Sequence, residues 1–269
     1  MTYPKLLISI FVLLLATNLS AASKSDLAKE KRWREQIEPS LMVGDAISLK
    51  ADGTEFLALY TENTATQALG AAIILHGSGA HPAWQDVVEP LRSELAEHGW
   101  HTLSLQMPIL ANNARLQDYE PLLDEVPARI QAGITFLKSK GENNIVLIGH
   151  SFGNVMAVYY LSTTKEPSVK AFVAVAFGPG IPSKAKMDSY AHLSKITIPI
   201  LDIYGSEDLA GNLHTINKRK LVAKKAGNKK YTQVKIEGAN HFFTNMDDVL
   251  TKRIRGWLKR YAPKTNPPK

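Results

Sequence analysis

The chain contains no cysteine. That excludes disulfides, thiolate metal sites and a lipid-modified cysteine at a processing point. An exported chain without disulfides must rely on its core, which 269 residues permit. Long apolar runs are missing after residue 22, so no later segment reads as a membrane span. No His-Glu-x-x-His pattern or other ligand cluster points to a metal, and no organic cofactor is expected. Gly77-Ser78-Gly79 follows an apolar run, as a dinucleotide loop would. However, Pro82 stands where the third glycine belongs, and no phosphate-loop lysine follows.

The one long apolar stretch is at the start. Lys5 supplies a small positive region, Leu6 to Ala16 is apolar, and Ser20-Ala21-Ala22 offers small residues for cleavage. This is the layout of a signal peptide over residues 1–22, cut after Ala22 or Ala21. The apolar core falls short of the roughly 20 residues that a spanning helix needs. A periplasmic or secreted bacterial protein is expected.

Formal net charge is +7, and the positive charge gathers late, at Lys218-Arg219-Lys220, Lys224-Lys225, Lys229-Lys230 and from Lys252 to Arg260. One reading is attraction to an anionic surface such as membrane lipid. The plainer one is the solvated face of two surface helices. Nothing accompanies the charge that would stack on bases or read a groove, so nucleic acid is not an expected partner.

Beyond the leader, residues 23–42 are charged and helix-prone and are expected to form a loose lead-in. One domain is expected over 43–263, with a frayed tail over 264–269. Alternating apolar residues on both sides of Asp52-Gly53 read as a β-hairpin. Apolar runs then alternate with helical patterns. Ala71 to Leu75, His101 to Leu105, Ile145 to Ile148, Val169 to Phe177, Ile198 to Tyr204 and Tyr231 to Ile236 read as strands. Helices are expected over Trp84 to His98, Leu122 to Lys140, Asn154 to Leu161, Leu213 to Ala226 and Val249 to Ala262. This order implies an α/β fold: a mostly parallel central sheet, helices on both faces, and an antiparallel hairpin at one edge. The one insertion near the expected site, Gly178 to Lys195, is too short for a large lid domain.

Between the strand at Ile145 and the helix at Asn154 lies Gly149-His150-Ser151-Phe152-Gly153. Strand, Gly-x-Ser-x-Gly, helix is the setting of a nucleophile elbow. Larger residues two before or two after the serine would clash across so tight a turn. A serine hydroxyl is a weak nucleophile and needs a base, which in turn needs an orienting acid. His241 follows the last strand, and Asp208 follows the strand before it. The order Ser151, Asp208, His241 is the one this architecture uses. Glu207 is adjacent to Asp208 and competes with it, while Asp202 lies mid-strand. His150 should point away from the nucleophile and His76 should pack beneath its loop. His81 and Trp84 either line a substrate pocket or cap and staple the following helix.

Through these motifs, and through His76-Gly77-Ser78-Gly79-Ala80-His81-Pro82-Ala83-Trp84, the chain resembles the α/β-hydrolase family from about Ile47 to Ala262. It is also similar to a group of functionally uncharacterised exported bacterial members. The resemblance implies Ser151 as nucleophile, His241 as general base and Asp208 as orienting acid. It further implies an oxyanion hole built from the backbone N–H groups of Phe152 and Ser78. The expected activity is hydrolysis of a carboxylic ester, thioester or activated amide, with a small-molecule or lipid-like acyl substrate. Two alternatives stand beside it: an acyltransferase using the same triad, and a binding or accessory protein that retains the fold.

Overall fold

Asp52 and Gly53 both adopt positive φ, 47° and 85°, the backbone of a two-residue turn that matches strand twist. They join β1 (Asp45–Ala51) to β2 (Thr54–Thr61), paired antiparallel in register from Asp45↔Tyr60 to Ala51↔Thr54. The computed structural model describes residues 24–263, so the expected leader and tail lie outside the described residues. Six further strands complete one eight-stranded sheet: β3 (Gly70–Leu75), β4 (Trp100–Leu105), β5 (Ile145–His150), β6 (Val169–Val175), β7 (Ile200–Glu207) and β8 (Tyr231–Asn240). Their spatial order is β1-β2-β4-β3-β5-β6-β7-β8, antiparallel where β2 meets β1 and β4 and parallel everywhere else. The α/β sheet with its antiparallel leading hairpin is therefore as expected.

The central strands are apolar on both faces because helices cover both. On β3, Ala71, Ile73 and Leu75 enter one core and Ala72 and Ile74 the other. The first core receives α3 (Val126–Ser139) and α4 (Phe152–Thr163), and the second receives α2 (Val88–Glu97) and α8 (Asp247–Tyr261).

Several boundaries depart from the sequence reading. The lead-in is not loose. It forms α1 (Leu27–Ile37), with Asp26 capping its first turn at the Lys29 N–H (2.9 Å). The Glu30 carboxylate accepts both terminal guanidinium nitrogens of Arg129 at 2.9 Å, and the Ser25 hydroxyl joins it. Both charges are buried, so packing and charge pairing fix a segment whose composition reads as solvent-exposed. The helix expected from Trp84 begins only at Val88, because Val87 sits at φ 62° and residues 82–87 are spent on turns. A 3₁₀ segment over Leu116–Asp124 precedes α3, whose Pro127 occupies the first turn, where no N–H is missed. The helix expected over Leu213 to Ala226 is broken into α6 (Ala210–Leu213) and α7 (Ile216–Lys225). A short helix, α5 (Ser189–Leu193), lies in the insertion before β7.

Candidate active site

The elbow forms because both flanking glycines are in close contact with backbone. A Cβ on Gly153 would stand 2.2 Å from the Leu75 carbonyl oxygen, and one on Gly149 would meet the Asn154 backbone N at 2.8 Å. With side chains removed there, α4 can start directly at the end of β5. Ser151 takes the strain, at φ 53° and ψ −119°, a left-handed region that ordinary residues avoid. Two hydrogen bonds to the Val175 carbonyl lock the turn, from the Ser151 N–H (3.1 Å) and from Asn154 Nδ2 (2.7 Å).

The other two residues come from neighbouring strand ends. Between Gly205 and Glu207 the β7–β8 register slips, and Glu207 then pairs with Asn240. The next residue on each strand is Asp208 and His241, which brings their side chains together. Asp208 Oδ1 accepts from His241 Nδ1 at 2.6 Å, and His241 Nε2 lies 3.0 Å from Ser151 Oγ. Since the carboxylate can only accept, Nδ1 carries the hydrogen and the Nε2 lone pair faces the serine hydroxyl. Asp208 is buried and Glu207 is exposed, so the acid on the imidazole is Asp208. Asp202 lies fully buried in β7, paired bidentately with Arg219 at 2.8 and 3.1 Å.

Asn212 was not singled out in the sequence reading. Its Nδ2 donates to Asp208 Oδ1 (3.0 Å) and to the Ala176 carbonyl (3.2 Å), so it holds the same carboxylate oxygen that the imidazole contacts. The one available signal was its position four residues after Asp208, which pays off only because α6 is a single helical turn. The second carboxylate oxygen of Asp208 is buried with no hydrogen-bond partner among the described residues. His150 Nε2 meets the His241 carbonyl at 3.1 Å and fixes the backbone that carries the imidazole. Complete burial lowers the pKa of His150 to about 4, so it is neutral at pH 7 and this nitrogen donates.

The loop after β3 lies against Ser151. A Cβ on Gly77 would stand 3.3 Å from Ser151 Cβ and 3.7 Å from Oγ. Beneath it, His76 Nδ1 donates to the Gly77 carbonyl (2.8 Å) while Nε2 accepts from the Met107 N–H (2.9 Å). Burial lowers the His76 pKa to about 3, which keeps the neutral ring that this pair of bonds requires. Ser78 is exposed on the next step of the loop, and Phe152 is the first residue of α4, where helix N–H groups have no partner within the helix.

His81 and Trp84 sit elsewhere. The His81 ring packs against Trp33 of α1 (centroids 5.1 Å) and against Trp84 (5.4 Å). Together they line a cleft of about 420 Å³ whose wall includes none of Ser151, Asp208 and His241. The ring packing ties them to α1, not to the helix that follows, a partner that neither expected role includes. Among the described residues there is no group of three or more His, Cys, Asp or Glu that could hold a metal ion.

A family model covers residues 4–121 and 117–260 of this sequence, nearly its whole length. The chain belongs to the DUF3530 family. Its description is "protein of unknown function", so for this DUF3530 protein the family assigns no chemistry. No curated protein matches the sequence. Solved structures share the fold. The esterase Pf2001 of Pyrococcus furiosus is 17% identical, with 81% of this chain and 92% of that one covered and a TM-score of 0.65. Est1E of Butyrivibrio proteoclasticus is 15% identical over 79% and 97% of the two chains, with a TM-score of 0.59. XC6422 of Xanthomonas campestris, described as a serine hydrolase without a lid, is 16% identical over 84% and 98%, with a TM-score of 0.62. At such identities the likeness establishes the α/β-hydrolase fold, and the chemistry has to be argued from the site.

Proposed function

We propose that this DUF3530 protein is a serine hydrolase that cleaves a carboxylic ester, thioester or activated amide through an acyl-enzyme. The observation that carries the reading is the pair of contacts made by one imidazole, 3.0 Å to Ser151 Oγ and 2.6 Å to Asp208 Oδ1. Each contact lies within the reach that proton transfer requires.

The chemistry follows from those contacts. Ser151 Oγ attacks the acyl carbon as its proton passes to His241 Nε2. The positive charge that develops on the imidazole is stabilised by Asp208, and the tetrahedral oxyanion by the N–H groups of Phe152 and Ser78. His241 then gives the proton to the leaving group, which departs with the bonding electrons. Water repeats the sequence on the acyl-enzyme and frees Ser151. Residues 1–22 are read as an export leader, which would make the site of action periplasmic or extracellular.

The test is labelling with a fluorophosphonate probe alongside hydrolysis of a panel of acyl esters of increasing chain length. The wild-type protein is expected to be labelled and to turn over at least one ester, and Ser151→Ala to do neither. Equal labelling of the two proteins would remove the nucleophile assignment.

A further inference from the structure

Charge is divided unevenly along this chain. Residues 209–269 carry 15 Lys and Arg against 3 Asp and Glu, whereas residues 1–208 carry 17 against 22. Folding then places six of these late cations at one end of the sheet. Lys224 and Lys225 close α7, and Lys229 and Lys230 immediately precede β8. The Lys230 carbonyl accepts from the Ile200 N–H (3.1 Å) where β7 begins. Lys259 and Arg260 close α8, and the Ala262 carbonyl beyond them accepts from Asn144 Nδ2 (3.1 Å), one residue ahead of β5. These six cations therefore surround the N-terminal ends of β5, β7 and β8. Ser151, Asp208 and His241 follow the C-terminal ends of the same strands. The two groups occupy opposite poles, separated by the length of a strand of 6 to 10 residues, roughly 20–33 Å at about 3.3 Å per residue.

All six side chains are exposed, and among the described residues none forms an ion pair. Cations in the last turn of a helix complement its dipole, which accounts for Lys224, Lys225, Lys259 and Arg260 one helix at a time. It does not account for Lys229 and Lys230, nor for the gathering of all six at one pole. Leu221 is 50% exposed and lies three and four residues before Lys224 and Lys225, on the same face of α7. An apolar side chain inside a cation cluster gains from contact with acyl chains. A nucleic-acid backbone offers it nothing.

We propose that this pole docks on an anionic lipid surface and holds the triad facing away from it. The membrane then acts as a platform and the substrate arrives from the aqueous side. Each Lys or Arg near such a surface strengthens partitioning by about fivefold, and salt weakens the effect.

The test is co-sedimentation of the full-length protein with vesicles of phosphatidylcholine alone, or of phosphatidylcholine mixed with phosphatidylglycerol. Binding is expected only to the mixed vesicles and should be lost at high salt. Two variants, K224E/K225E and K229E/K230E, should each weaken it by at least about 25-fold while keeping the wild-type Tm. Because the pairs are independent, misfolding of one leaves the other as the test. Equal binding to both vesicle types, or wild-type binding by a folded variant, would overturn the proposal. Tighter binding to duplex DNA than to mixed vesicles would overturn the choice of occupant. Saturating vesicles should leave fluorophosphonate labelling of Ser151 unchanged, and protection of Ser151 would overturn the orientation. The binding measurement needs no catalysis, so it can fail or succeed independently of the hydrolase reading.

Discussion

Replacing Gly153 by alanine separates two opposing effects that the structure lets us weigh. Gly153 lies in the first turn of α4, and helix propensity alone would favour alanine by about 1 kcal/mol. The new Cβ, however, would stand 2.2 Å from the Leu75 carbonyl oxygen and 2.9 Å from that of His76. Both partners are backbone at the end of β3, so neither can swing aside. Relief requires the start of α4 to move outward by about 1 Å, and overpacking of this kind costs about 1–3 kcal/mol. The net expectation is a loss of up to about 2 kcal/mol, or up to about 8 °C in Tm for a protein of this size. The same movement carries Ser151 away from His241, and misplacement by about 1 Å can cost about 100-fold in rate. The matched control is Gly256→Ala in α8, where a Cβ would meet nothing within 4 Å. That variant should gain about 1 kcal/mol and label at the wild-type rate. Thermal unfolding and fluorophosphonate labelling kinetics on both proteins decide the matter. A Gly153→Ala protein at or above the wild-type Tm with unchanged labelling would refute the reasoning.

Two further outcomes are expected. Asn212→Ala removes a hydrogen bond to the Asp208 carboxylate (3.0 Å), a type worth about 1.5–3 kcal/mol, so kcat should fall about 10- to 100-fold with KM little changed. Steady-state kinetics on any ester turned over by the wild type measure this, and an unaltered kcat would leave Asn212 without a positioning role. His76 and His150 are held neutral by burial, with pKa values of about 3 and about 4, below the free value of about 6.5. The unfolded chain therefore takes up protons first as the pH falls. Stability should be full above about pH 6.5 and decline towards pH 4, by up to about 3 kcal/mol for His150. Tm measured from pH 7 to pH 4 checks this, and a level profile would contradict it.

The fold could be read from the sequence because a parallel sheet covered on both faces needs uninterrupted apolar strands. Ala71 to Leu75 and Ile145 to Ile148 supply two of them. The turn at Asp52-Gly53 was equally legible, since few residue pairs accept positive φ twice in succession. The elbow could be located because Gly149 and Gly153 are demanded by backbone contacts, and such contacts leave a mark in residue type. Charged segments were harder to read. The lead-in helix shows polarity everywhere, and its fixed place depends on Arg129, which lies 99 residues from Glu30. Likewise, only the four-residue spacing from Asp208 hints that the Asn212 amide meets a carboxylate.

From its order of residues alone, this chain specifies an α/β sheet, a strained serine between a strand and a helix, and an acid and a histidine downstream. Those features are local, since each depends on the period of an apolar run or on the size of one residue at a tight turn. Only the tertiary structure selects Asp208 over Glu207, because a register slip between β7 and β8, with two extra residues on β8, brings Asp208 level with His241 and leaves Glu207 exposed. It alone also turns His81 and Trp84 towards α1 and brings Lys224, Lys225, Lys229 and Lys230 to the sheet end opposite Ser151. Register and long-range packing join residues that are distant along the chain, and no local pattern encodes a distance.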